Sequence, residues 1–252
     1  MAEDVTVAVE DNVATVEFHR PPNNFFDVEL IRALVHAVFA LDDDPECRAI
    51  VLCSEGKNFC AGADLGPQSD LVDQTADLYT QAVQLFSARK PIVAAVQGAA
   101  VGGGLGLALA ADFRVATPES RFSCNFAKLG FHQGFGISVT LPAIVGQQRA
   151  LELMYTGGQA KGAEALALGL CDRLSSPEDL RDAAHELANE IAESGPLAVL
   201  AIRETMRGDL ANQVREATKR EHEMQQSLRR TDDFREGVAA MAERRPPRFT
   251  GQ

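Results

Sequence analysis

The sequence predicts an α/β fold that gives way to a purely helical last third, and three observations carry that expectation. Short apolar runs alternate with stretches of helical period, Gly-containing loops recur after the apolar runs, and beyond Leu141 the strand signals stop while amphipathic helical spacing continues. At 252 residues the chain is long enough for one large core, or one domain with a helical appendage, and too short for two full domains.

Taken in order, Val5–Val9 and Val13–Phe18 alternate with period two across Glu10-Asp11-Asn12, the pattern of a β-hairpin. Arg20-Pro21-Pro22-Asn23-Asn24 is a turn-rich loop, after which Ile31, Leu34, Val35, Val38 and Leu41 recur at helical spacing until Asp42-Asp43-Asp44-Pro45 ends the helix. Ala49–Cys53 is apolar on both faces, as a strand buried on both sides must be. The unit then repeats: a loop over Ser54–Gly66, a helix carrying Leu71, Leu78, Val83 and Phe86, and a second buried strand at Ile92–Val96. A Gly-rich turn, a small-residue helix and a third strand near Phe113–Ala116 follow. Further on, Leu180, Ala183, Ala184, Leu187, Ala188 and Ile191 share one face of a helix within Glu178–Glu193. Pro196 suits a first helical turn, and Leu210–Leu228 is helical and strongly charged. No long linker marks the boundary near residue 190, so the expected organisation is a core over 1–190 and a helical region over 191–252 that is an appendage rather than an independent domain.

Charge narrows the classes of partner. Lys and Arg total 24 against 36 Asp and Glu, a formal net charge of -12, so the long-range field repels nucleic acid and anionic membranes. A phosphate-bearing ligand must therefore be held by a local basic cluster or by main-chain amides. The five cysteines (Cys47, Cys53, Cys60, Cys124, Cys171) lack CxxC or Cys/His ligand spacing, which suits free thiols in a reducing compartment and no metal site. The start, Met1-Ala2-Glu3-Asp4-Val5, has neither a basic nor an apolar segment of a secretory signal. The longest apolar stretch, Gly98–Ala111, falls below the roughly 20 residues that span a bilayer. The expectation is a cytoplasmic protein.

The sharpest feature is Gly98-Ala99-Ala100-Val101-Gly102-Gly103-Gly104-Leu105-Gly106, directly after a buried strand and opening into a helix. Glycines remove Cβ atoms, so a ligand can approach the main chain, and the first turn of the helix offers unpaired N–H groups at its positive end. Close packing of helix on sheet is an equally good reason for the same glycines. The spacing does not fit a dinucleotide fingerprint, because Leu107 and Leu109 stand where the last glycine is required, and no Gly-Lys-Ser/Thr of a phosphate-binding loop is present.

A second loop, Gly56-Lys57-Asn58-Phe59-Cys60-Ala61-Gly62-Ala63-Asp64-Leu65, again follows a buried strand. Together the two loops and their separation resemble the crotonase (enoyl-CoA hydratase/isomerase) superfamily, and further similar segments span nearly the whole chain. Among them are Arg20-Pro21 with Asn24, Lys90–Gly98, Ile144-Val145-Gly146 followed by Arg149–Leu153, Ala163–Leu170 and Asp233–Gly237. The resemblance implies a crotonase-like spiral of ββα units with a C-terminal helical trimerisation region, a homotrimer or dimer of trimers. It implies an acyl-CoA or enoyl-CoA substrate of the kind met in fatty acid metabolism, with no cofactor besides the coenzyme A of the substrate itself. Carried over by position, the N–H groups of Ala63 and Gly103 form an oxyanion hole for the thioester carbonyl. Losing one such preorganised donor typically raises a barrier by about 3 to 4 kcal/mol.

The proton-transfer groups are the anomaly. Hydratases that the chain resembles carry two glutamates, at positions occupied here by Gly106 and Phe126, and a third acidic position used by other members falls at about Gly134. Without a positioned base a catalyst forgoes roughly a hundred- to ten-thousand-fold in rate. His132 is the nearest titratable candidate, since imidazole changes charge near neutral pH, although a merely hydrogen-bonded loop histidine fits as well. The expected substrate-binding set is Asn24, Lys57, Ala61, Asp64, Leu65, Val101, Gly102, Phe126 and Leu129, with Phe25 and Phe26 nearby. Asp64 fits a helix-capping role equally well, and Cys60 and Cys124 are more in keeping with small buried apolar groups than with nucleophiles. Lys57 and the tail Glu243-Arg244-Arg245-Pro246-Pro247-Arg248 form the expected cationic patch for the CoA end, against the plainer reading of solvated charge.

Three functions compete on these residues: an acyl-CoA lyase or isomerase with its proton-transfer group displaced, a CoA-thioester-binding pseudoenzyme, and a serine hydrolase of the Clp-protease kind. The third ranks last, because no Gly-x-Ser-x-Gly elbow is present.

Overall fold

The computed structural model describes residues 4–64 and 71–252. The opening hairpin is formed by β1 (Val5–Glu10) and β2 (Val13–Phe18), turned by Asp11 and Asn12, both at positive φ. Helix α1 (Val28–Asp43) is capped by the Asp27 carboxylate, which accepts from Leu30 N, and buries Ile31, Leu34, Val35, Val38 and Leu41 as their spacing requires. Strand β3 (Ala49–Ser54) is buried at every residue; α2 (Leu71–Leu85) leads into β4 (Ile92–Val96), likewise wholly buried.

The glycine turn separates a short strand β5 (Ala99–Val101) from α3 (Gly103–Ala110), followed by β6 (Phe113–Ala116), β7 (Arg121–Ser123) and a 3₁₀ turn over Asn125–Leu129. Then come α4 (Ile137–Val145), α5 (Gln147–Thr156), β8 (Gln159–Lys161), α6 (Gly162–Leu168) and β9 (Arg173–Leu174). The last part is α7 (Leu180–Ala192), α8 (Pro196–Arg207), α9 (Leu210–Leu228) and α10 (Asp232–Ala242). Two strands, β8 and β9, thus lie beyond Leu141, where none is expected from the sequence. At three and two residues they are too short to establish a period of two.

Six strands form one sheet in the order β1-β2-β3-β4-β6-β9, parallel throughout except for the hairpin, and β5-β7-β8 form a second. Alternation along the parallel strands divides the interior in two. Ile50 and Leu52 of β3 face the main core with α1 and α3, whereas Ala49, Val51 and Cys53 face Leu180, Ala184, Leu187 and Ala188 of α7. That double coverage explains why β3 and β4 read as continuous apolar runs. Asp112, just past α3, accepts from Arg203 Nε (3.0 Å), Arg207 (2.7 Å) and Ile92 N (2.8 Å), and so fastens α8 to the end of the glycine helix.

Candidate active site

The two glycine loops are joined by main-chain hydrogen bonds. Phe59 N donates to Gln97 O (2.8 Å), Cys60 N to Ala99 O (2.9 Å) and Val101 N to Cys60 O (3.0 Å), so Phe59 and Cys60 run beside β5. The approach is too close for side chains. A Cβ on Gly62, itself at φ +93°, would lie 2.8 Å from Val101 O and 3.6 Å from Gly103 N; one on Gly104 would overlap the Cys60 carbonyl. The packing reason for these glycines is therefore satisfied, and it is this packing that brings the Ala63 loop against the Gly103 amide.

On its other side Ala63 is bridged in parallel to Phe26, with Phe26 N donating to Gly62 O (3.0 Å). A parallel bridge uses the peptide groups flanking its central residue, which turns Ala63's own N–H away from Phe26. Among the described residues neither the Ala63 nor the Gly103 amide has a hydrogen-bond acceptor.

Both amides belong to the lining of a cavity of about 850 Å³. Eight of the expected residues line it: Ala61, Ala63, Asp64, Val101, Gly102, Gly103, Phe126 and Leu129. Leu65 lies outside the described residues. Phe25 and Phe26 also line it, as do residues that no motif singles out: Phe131 and Phe135 from the loop before α4, Leu78 and Tyr79 from α2, Gln225 from α9 and Arg229 just after it. Val238, Ala239, Met241 and Ala242 of α10 close one side. Among the described lining residues, Asp64 is the sole carboxylate.

Three expected residues do not line the cavity. Asn24 is fully buried at φ +51°; its Nδ2 donates to Glu55 O (2.8 Å) and Asn58 O (2.7 Å) and its Oδ1 accepts from Arg20 N (2.8 Å). Its amide is wholly engaged in bracing loops, and its neighbours Asn23 and Phe25 reach the cavity instead. Lys57 is exposed on the surface. His132 turns its ring Nδ1 to Gln133 O (2.8 Å), and its own carbonyl accepts from Gln225 Nε2 (2.9 Å). Of the tail arginines, Arg245 is paired with Glu236 (2.6 Å), while Arg244 and Arg248 are exposed. Cys60 and Cys124 are buried, and burial pushes each thiol up to about 12, which leaves them protonated and apolar in behaviour.

None of the three expected acid positions holds a carboxylate, and at two of them the space is taken by a side chain from elsewhere. A Cβ on Gly106 would meet the Phe135 Cβ at 2.6 Å; Phe126 presents its ring to the turn, 3.6 Å from a Cβ on Gly102; and a Cβ on Gly134 would overlap the Tyr79 hydroxyl. Phe135 holds its place at φ +61°, unusual for a bulky side chain, with its ring 5.4 Å from that of Phe26. Behind it, the buried Glu221 carboxylate accepts from Gly136 N (2.9 Å) and Ser138 N (3.0 Å) at the start of α4. Burial raises its pKa above the ordinary value, against the lowering effect of those hydrogen bonds.

A buried parallel sheet, two glycine loops laced edge to edge and a cavity at their junction define the architecture of the crotonase fold. Comparison with known proteins makes the assignment specific: the family model for enoyl-CoA hydratase/isomerase matches residues 8–252, and the chain belongs to that family. It is 34% identical over 253 residues to a putative enoyl-CoA hydratase of Thermus thermophilus, covering 96% of this chain and 100% of that one. It is 31% identical over 262 residues to the 1,2-epoxyphenylacetyl-CoA isomerase of Escherichia coli, with 100% of both chains covered. The crystal structure of an enoyl-CoA hydratase/isomerase from Pseudoalteromonas atlantica superposes with a TM-score of 0.87 at 28% identity, covering 98% of this chain and 100% of that one. The protein is thus a hydratase/isomerase-like enzyme of mixed α/β fold. No helix among the described residues is long and apolar enough to cross a membrane.

Proposed function

We propose that the cavity binds an acyl-CoA thioester with its carbonyl oxygen between the Ala63 and Gly103 amides, and that these donors stabilise the enolate-like charge formed on that oxygen. The observation that carries this reading is the pair of amides, without an acceptor among the described residues, on a cavity whose lining is mostly apolar. Preorganised donors in such surroundings act without reorganisation as charge develops. Coenzyme A enters as part of the substrate, and no other cofactor is invoked. Proton transfer at Gly106, Phe126 and Gly134 is absent in this reading, and His132 stands outside the reacting volume because its ring is turned to the Gln133 carbonyl.

The test is a panel of crotonyl-CoA, a 3-enoyl-CoA and an aryl-CoA ester, followed for loss or gain of the conjugated thioester and for release of CoA, with binding measured in parallel by calorimetry. Gly62→Ala strains the bend and moves the Ala63 amide; it should lower kcat/KM about a hundred- to a thousand-fold. Absence of acyl-CoA binding by the unaltered protein would refute the reading. The absence of a carboxylate from all three acid positions favours a second one, a CoA-thioester-binding pseudoenzyme, for which tight binding with no turnover of any ester is the expected outcome.

The same reading takes residues 1–190 as the crotonase-like spiral core of a cytoplasmic protein and 191–252 as its C-terminal helical trimerisation region, in a homotrimer or dimer of trimers. In support, α8 buries none of its 12 residues and exposes Leu197, Ile202 and Met206 at 80, 63 and 76%. Light scattering that gives a monomer mass at micromolar concentration would overturn it.

A further inference from the structure

The segment between the 3₁₀ turn and α4 carries two cavity-lining rings, Phe131 and Phe135, yet it has neither helix nor strand to fix them. Its main-chain groups are claimed instead by side chains from α2 and α9. The Phe135 N–H donates to the Tyr79 oxygen, and the His132 carbonyl accepts from Gln225 Nε2 (2.9 Å). Gly136 N and Ser138 N, at the head of α4, donate to the two oxygens of Glu221 (2.9 and 3.0 Å).

The buried carboxyl and the glycine it serves explain each other. Gly136 sits at φ +74°, and a Cβ there would lie 2.6 Å from Val214 Cγ1, so this position cannot carry the Ser, Asp or Asn that ordinarily caps a helix. Glu221 supplies the cap from another helix, at the positive end of α4, although only 1% of it is exposed. Burying a carboxyl is unfavourable unless it is hydrogen-bonded, and here both oxygens are.

What this cap holds leads to the paired amides. Phe135, at φ +61° directly before Gly136, puts its ring 5.4 Å from that of Phe26. The Phe26 ring covers Gly103, where an added Cβ would lie 2.4 Å from its Cζ, and the Phe26 main chain is bridged to Ala63. Phe26 thus touches both loops that present the amides, and Phe135 is packed on its ring.

Building on the proposed acyl-thioester site, we infer that Glu221 is a positioning residue for the oxyanion donors, acting through Phe135 and Phe26 on the Gly103 and Ala63 amides. It touches no substrate and transfers no proton.

The test is the carbonyl stretch of bound butyryl-CoA labelled with carbon-13 at the thioester carbon, read by difference infrared spectroscopy, because a hydrogen-bonded carbonyl absorbs at lower frequency. In the unaltered protein the band should move down on binding. Glu221→Gln keeps the shape of the side chain but sets an NH₂ against one main-chain donor, and at least half of the shift should be lost. Affinity for butyryl-CoA should fall about five- to tenfold in that variant, the increment of one net hydrogen bond, while that for free CoA stays unchanged. Leu180→Ala, which opens a void on the α7 side of the sheet, should keep the full shift. A full shift in Glu221→Gln, or an equal loss in Leu180→Ala, overturns the inference and leaves the acyl-thioester reading standing. If Glu221→Gln does not fold, Phe135→Leu decides by the same criterion. An unaltered protein that binds butyryl-CoA without a shift, or does not bind it, overturns both.

Discussion

Phe135 occupies the space into which a side chain on Gly106 would have to project: a Cβ added there would lie 2.6 Å from the Phe135 Cβ and 2.8 Å from its ring. Because the obstructing atom is next to the main chain, rotation of the ring does not relieve the overlap. Gly106→Ala should therefore cost about 1 to 3 kcal/mol, the range for overpacking a filled core. In a Phe135→Ala background the same change should cost much less, and a double-mutant cycle by urea denaturation reads the coupling. Gly106→Glu on its own should lower stability without creating hydratase activity; a gain of crotonyl-CoA hydration by that single variant would refute the steric account.

All five cysteines are free and buried. Burial holds the thiols of Cys60 and Cys124 at about 12 and those of Cys53 and Cys171 at about 11. A thiol-specific disulfide reagent at pH 8 should find none of them in the native protein and all of them in urea. Rapid native labelling of any one, located by mass spectrometry, would contradict the burial.

Glu221 makes stability depend on pH in a defined direction. Its folded pKa lies above the ordinary 4.5, so the folded state holds its proton more tightly than the unfolded chain. Its contribution is greatest below pH 4.5 and is lost as pH rises through the folded pKa. Glu221→Gln removes that titration but places an amide NH₂ against one of two main-chain donors, which should cost about 1 to 3 kcal/mol. The stability difference between the unaltered protein and Glu221→Gln, measured by urea melts from pH 4 upward, should narrow with rising pH. A difference that is flat with pH would show that the folded carboxyl titrates normally.

Asp112 and Arg203 each expose only 9% of the side chain. Asp112→Ala leaves a buried guanidinium without its counter-ion and should destabilise by about 3 to 5 kcal/mol. Arg203→Met combined with Asp112→Leu, which removes this pair and leaves only the more exposed Arg207 without its partner, should recover part of the loss. A cost below about 1 kcal/mol for Asp112→Ala would place the pair among weak surface bridges.

The legible parts of this molecule are those in which one stretch of chain carries its own reason. The two glycine loops are legible because each follows a wholly buried strand, the pairing of the Ala63 and Gly103 amides being what the resemblance implies, and the sheet is legible because β3 and β4 are apolar on both faces. Tyr79 and Gln225 are not legible: each sits one turn from another polar residue on an ordinary amphipathic helix, and only the packing of α2 on α9 bridges their sequence separation of 146. Phe135 was hidden for a related reason, since its left-handed backbone is imposed by the loop and has no sequence signal. Asn24 and Lys57 were expected at the site on the strength of likeness alone. The buried amide of Asn24 holds loops in place, which is reason enough for an asparagine where φ is positive.

The cavity wall runs from Asn23 to Ala242 along the chain. During translation the glycine bends therefore exist before the helices that roof them. A nascent polypeptide still lacking α9 and α10 has a groove open to water, and a chain cut short by a premature stop in that region can never enclose a guest. Enclosure of a small molecule by this protein thus requires that synthesis has passed Ala242.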